Sequence, residues 1–120
     1  MNRVFVYGSL RKGFGNHRLL EESTYLGEAT TYPSYTMLHL GGFPGLVAEG
    51  DTPIKGEVYE VDDYTLERLD RLESHPDFYE RTPIELADGM EAEVYLLPTD
   101  WLKDNQKIVS SGDWADRGNR

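Results

Sequence analysis

Four successive apolar residues near the start of the chain, Val4-Phe5-Val6-Tyr7, stop abruptly at Gly8. A half-wet strand alternates apolar and polar side chains, so an unbroken apolar run predicts a first strand covered on both faces. After Gly8 the sequence turns small, polar and basic, Ser9-Leu10-Arg11-Lys12-Gly13, and residues 16–23 then read as a short helix with Leu19 and Leu20 facing inward. Backbone N–H groups between a strand and a helix have no ladder partner, and glycine allows a ligand to come close to them. The turn through Tyr7, Gly8, Ser9 and Leu10 is therefore a candidate cradle for an anionic group.

The rest of the chain supplies more strands than helices. Residues 25–32 read as a strand closed by Pro33, and residues 35–40 as another that runs into the breaker cluster Gly41-Gly42-Phe43-Pro44-Gly45. Residues 46–48 form a brief strand, a turn is expected over residues 50–53, and residues 54–61 form a strand with one partly wet face because Glu57 and Glu60 interrupt it. Residues 82–86 and 91–97 flank Asp88-Gly89, a strong hairpin signal. About six strands and one long helix, not in alternation, predict an α+β fold around a small mixed, mostly antiparallel sheet. Residues 1–120 are expected to form one domain, with 103–120 a polar C-terminal tail anchored at Trp114.

The net charge of -10 argues against nucleic-acid and anionic-membrane partners, which need a basic face. With no cysteine the chain has no disulfide, thiolate zinc site or cysteine nucleophile. His17, His39 and His75 fall in separate elements without an i, i+4 pair, so no metal site is expected. Ser9 lacks the Gly-x-Ser-x-Gly surroundings of an activated nucleophile, and its expected contribution is a backbone N–H. Three residues before the first strand leave no room for a signal segment, and no window approaches the roughly 20 apolar residues of a membrane span. A soluble cytoplasmic protein is expected.

The long helix carries the most telling charge. Residues 62–75 begin with acidic side chains, favourable at the positive end of the helix dipole, and stop before Pro76. At about 100° per residue, Leu66, Leu69 and Leu72 fall near 0°, 300° and 240°, and Glu73 near 340°, inside the leucine arc. Desolvation and the negative end of the dipole would both raise the pKa of a carboxylate placed there, as a general base near neutrality requires. The bland alternative is a frayed last turn that releases Glu73 to water, where it pairs with Arg81 or His75. Tyr79 and Tyr95 sit where tyrosine is ordinarily core or interface material.

Tyr7-Gly8-Ser9-Leu10 after a hydrophobic strand resembles the opening motif of the γ-glutamylcyclotransferase-like family. Leu69-Asp70-Arg71-Leu72-Glu73, preceded by Gly56-Glu57-Val58-Tyr59 and followed by Pro76 and Tyr79-Glu80-Arg81, is similar to its second motif. Arg11-Lys12-Gly13 with Asn16-His17-Arg18-Leu19-Leu20 looks closest to the γ-glutamylamine cyclotransferase branch. The resemblance implies a small, curved, barrel-like sheet. It also implies cyclisation of a small-molecule γ-glutamyl substrate to 5-oxoproline with release of an amine and no cofactor. Glu73 would be the catalytic acid/base, and Tyr7, Gly8, Ser9, Leu10, Tyr79 and Tyr95 would shape the substrate pocket. The family commonly has glycine where this chain has Ser74, at a position expected to need positive φ. That departure keeps open a second reading, a catalytically silent binding or interaction module on the same fold.

Overall fold

The computed structural model describes residues 1–103 and 106–118. Strand β1 (Asn2–Val6) occupies the middle of a five-stranded sheet. It pairs antiparallel with β5 (Lys55–Val61) on one side and parallel with β7 (Glu91–Leu96) on the other. Strand β2 (Thr24–Thr30) closes one edge against β5, and β6 (Glu80–Glu85) closes the other against β7. A separate antiparallel ribbon joins β3 (Tyr35–His39) to β4 (Pro44–Thr52). The architecture is α+β, mostly antiparallel, with one main helix, α1 (Asp63–Leu72).

The unbroken apolar run of β1 serves both faces of the sheet. Val4 and Val6 pack with Leu20, Leu66 and Leu69, whereas Phe5 and Tyr7 pack with Met37, Leu46 and Trp114. Strand β5 is covered likewise: Gly56, Glu57, Val58 and Tyr59 are all buried. The expected wet face is absent from these positions because β5 lies between β2 and β1 and carries packing on each side.

The ribbon also departs from expectation. The described residues form seven strands where about six were expected, and β4 runs for nine residues through glycines read as breakers. A Cβ at Gly45 would run into the Leu97 side chain, so this glycine admits a close approach between β4 and the end of β7. The stretch over residues 16–23 is a single 3-10 turn, His17–Leu20, in which Leu20 is buried and Leu19 only partly so.

Helix α1 is capped by Asp62, whose side chain accepts the Thr65 N–H at 2.7 Å. At its exit Ser74 adopts φ 54° and the His75–Pro76 peptide bond is cis. The C-terminal segment docks through more than Trp114. Lys107 C=O accepts from His39 N–H, Val109 N–H donates to Met37 C=O, and Lys55 N–H donates to Gly112 C=O. Residues 104, 105, 119 and 120 of the expected tail lie outside the described residues. No helix among the described residues is long and apolar enough to cross a membrane.

Candidate active site

A cavity of about 350 Å³ opens where β1 ends, between the turn after Tyr7, the Gly42-Phe43-Pro44 approach to β4, and the exit of α1. Tyr7, Gly8, Ser9, Leu10, Glu73, Tyr79 and Tyr95, all picked out in the sequence, line it together. Residues that the sequence reading did not name for the site, Asn16, Phe43, Pro44, Leu72 and Phe78 among them, complete the wall.

Among the described residues, no acceptor takes the backbone N–H of Gly8, Ser9 or Leu10. The turn is held by other bonds: Arg11 N–H to Gly8 C=O at 3.1 Å and Asn16 N–H to Ser9 C=O at 3.0 Å. The Asn16 side-chain amide also donates to Ser9 Oγ at 2.9 Å, which occupies that hydroxyl as an acceptor. Gly8 also admits a close approach from within the protein. A Cβ there would lie 2.8 Å from Pro44 Cγ, so glycine lets the proline ring seat against the turn.

Three tyrosines enclose the cavity, and each commits its proton to the protein. Tyr7 donates to Tyr95 C=O at 2.6 Å, Tyr79 to Pro44 C=O at 2.5 Å, and Tyr95 to Asp70 Oδ1 at 2.7 Å. What each hydroxyl still offers a ligand is an acceptor lone pair. Burial raises the pKa of all three; for Tyr7 and Tyr79 the nearby Glu73 adds to the rise, and for Tyr95 the hydrogen bond to Asp70 does. They are therefore neutral at physiological pH.

Glu73 sits at the C-cap of α1, its N–H donating to Leu69 C=O at 2.9 Å. No hydrogen bond or ion pair from a described residue reaches its carboxylate, neither from Arg81, which is engaged by Asp70 and Glu93, nor from His75. Burial without a partner pushes its pKa up to about 7. Leu72 is 39% exposed and forms the rim of the cavity, so the leucine arc ends where the cavity begins and Glu73 faces it. The turn after Glu73 needs a left-handed residue, and Ser74 fills that position at φ 54°.

The chemistry assembled here is a set of free N–H donors, a ring of neutral lone-pair acceptors and one carboxylate that titrates near neutrality. The family model described as gamma-glutamyl cyclotransferase, AIG2-like, matches residues 4–116. The chain belongs to that family. The γ-glutamylcyclotransferase family protein YtfP of Escherichia coli K12 is 39% identical over 116 residues, which cover 96% of this chain and 97% of that one. A protein of Niallia circulans named gamma-L-glutamyl-butirosin B gamma-glutamyl cyclotransferase is 39% identical over 75 residues, 62% of this chain and 47% of that protein. Among solved structures, an uncharacterised protein of Pyrococcus horikoshii superposes with a TM-score of 0.80 at 31% identity, covering 97% of this chain and 92% of that one. The protein is thus an enzyme of the γ-glutamylcyclotransferase family, and the Tyr7-Gly8-Ser9-Leu10 and Glu73 segments fall within the matched region.

Proposed function

We propose that the protein converts a γ-glutamyl amine, or a γ-glutamyl amino acid, to 5-oxoproline and a free amine, in the cytoplasm and without a cofactor. The observation that carries this reading is Glu73, an unpartnered carboxylate with a pKa near 7 facing the same cavity as the free N–H groups of Gly8, Ser9 and Leu10.

The substrate supplies both reactants. Its α-amine attacks its own γ-carbonyl carbon, so the enzyme gains chiefly by holding the glutamyl group folded, since well-oriented intramolecular reactions reach effective molarities of about 10⁵ M or more. The α-ammonium must first lose a proton. The Glu73 carboxylate takes it, while lone pairs of the tyrosine hydroxyls orient the N–H bonds of the amine. As the C–N bond to the leaving amine breaks, the Glu73 carboxylic acid passes that proton to the departing nitrogen, and the freed carboxylate takes the second proton, shed as the attacking nitrogen becomes the lactam N–H, for the released amine to leave as an ammonium. The lactam ring closes with no water consumed. The N–H groups of the turn hold the α-carboxylate or oppose the charge that develops on the carbonyl oxygen.

The amine branch is favoured by likeness to the Niallia circulans protein, whose name specifies a γ-glutamyl group carried by butirosin. Incubation of the pure protein with a panel of γ-glutamyl amines and γ-glutamyl dipeptides, with 5-oxoproline and released amine quantified together, tests the reading. Equimolar appearance of both products from at least one substrate is expected. Binding of panel members without either product would assign the protein to the silent-module alternative.

A further inference from the structure

One cation outside the cavity reaches both sides of the turn that carries Glu73. Arg81, on β6, pairs with Tyr95 across the β6–β7 ladder. Its guanidinium closes on both oxygens of Asp70, Nε to Oδ1 at 2.9 Å and Nη2 to Oδ2 at 3.1 Å, and its third nitrogen donates to Glu93 Oε1 at 2.7 Å. Such a two-point fork fixes orientation as well as distance. The Arg81 backbone N–H donates to His75 Nδ1 at 2.9 Å, and His75 N–H in turn donates to Asp70 C=O at 2.9 Å. Asp70 and His75 bracket Glu73 in the chain, so Arg81 grips the α1 exit before and after it. Asp70 Oδ1 also takes the Tyr95 proton, which places that cavity-lining ring under the same control.

We propose that Arg81 is a positioning residue for Glu73: by clamping Asp70 and His75 it holds the α1 exit and the Tyr95 ring so that the Glu73 carboxylate faces the cavity. The proposal rests on Glu73 being the base. It has an electrostatic side as well. Asp70 lies three residues before Glu73 on the same helix, where side chains are neighbours, and Arg81 neutralises it. The other groups facing Glu73 are Tyr7 beyond β1, Tyr79 ahead of β6 and Tyr95 on β7, all neutral near pH 7, while His75 is turned to the Arg81 amide. Among the described residues, no lysine or arginine lines the cavity. Without the charge of Arg81, Glu73 would ionise against an uncompensated Asp70.

Two substitutions separate geometry from charge. Arg81→Lys keeps the charge and loses the fork; Arg81→Gln loses both. With a γ-glutamyl amide that the wild type turns over, kcat is expected to fall about tenfold in Arg81→Lys with the acidic limb of the pH profile in place. In Arg81→Gln it should fall about a hundredfold, with that limb moved to higher pH. KM should stay within about threefold in both. Wild-type kcat in a folded Arg81→Lys would overturn the proposal. So would a loss of kcat that tracks melting temperature while the limb of Arg81→Gln stays put, and if Arg81→Gln fails to fold, Arg81→Lys decides. A carbon-13 NMR titration of the Glu73 carboxyl, assigned with Glu73→Gln, gives a readout that needs no turnover. An upward midpoint in Arg81→Gln supports the link between Arg81 and Glu73 even if no γ-glutamyl substrate reacts, and an unmoved midpoint counts against it.

Discussion

Glu57 and Glu73 both turn a carboxylate inward, from β5 and from the end of α1, and their surroundings differ in kind. Glu57 is only 5% exposed, yet Oε1 accepts the Lys12 N–H at 3.0 Å and the Tyr59 hydroxyl at 2.9 Å, while Oε2 lies 3.6 Å from Arg11 Nε. Arg11 continues to Asp113 at 2.7 Å, so this charge belongs to a network that ties the turn after β1 to β5 and to the C-terminal segment. Glu73 has no such company. A buried charge with partners holds backbone in place, and a half-buried carboxyl without them is left with a proton to trade. One carboxylate thus fixes the cradle, and the other faces it across the cavity.

The sharpest way to break this contrast is to neutralise each carboxylate in turn. Glu73→Gln should lower 5-oxoproline formation by about 10³-fold, whereas Glu57→Gln should leave kcat within about threefold. Similar losses in both would erase the distinction. The wild-type kcat/KM should also rise with pH through an apparent pKa near 7, a limb expected to vanish in Glu73→Gln.

Stability should run the other way. Glu57→Ala strands the Lys12 N–H and the Tyr59 hydroxyl and leaves Arg11 with Asp113 alone, and a cost of about 3 kcal/mol is expected from urea unfolding. Glu73→Gln should stabilise the fold at pH 8 by on the order of 2 kcal/mol and have little effect near pH 4. The sign follows from the raised pKa in the folded state: wild-type stability is fullest below the ordinary value of 4.5 and is lost as pH rises through about 7. A pH-independent difference between the two proteins would contradict this account. The smallest effect concerns the turn that holds Glu73. Ser74→Gly should gain about 1 kcal/mol, because a left-handed residue with a Cβ is strained; a loss in melting temperature would count against it.

Local chemistry made part of this legible in advance. The two-sided burial of β1, the Asp88-Gly89 hairpin and the acidic start of α1 each follow from a short pattern with one physical reading. The position of Glu73 followed from helical periodicity, because the leucine arc and the cavity meet at Leu72. Tertiary contacts decided what was missed. Gly45 and Gly50 look like breakers until β4 is seen packed against Leu97 and Thr36, where side chains would collide. Glu57 looks like the wet face of a strand until β2 and β1 enclose it. Arg81 was visible as part of a family motif, but its grip on Asp70 depends on how β6 lies beside α1, which no local pattern encodes. Phe43 carried a usable signal, an aromatic side chain set among three glycines and one proline, Gly41, Gly42, Pro44 and Gly45.

The seating of Pro44 against Gly8 joins two segments that are 36 residues apart in the chain, and a Cβ on residue 8 would lie 2.8 Å from Pro44 Cγ and 3.0 Å from its Cδ. Variation at these two positions should therefore be epistatic. A library that diversifies residue 8 alone would return only glycine, whereas one that also frees residue 44 from its ring would open position 8 to alanine, so the turn is best redesigned as a pair of sites.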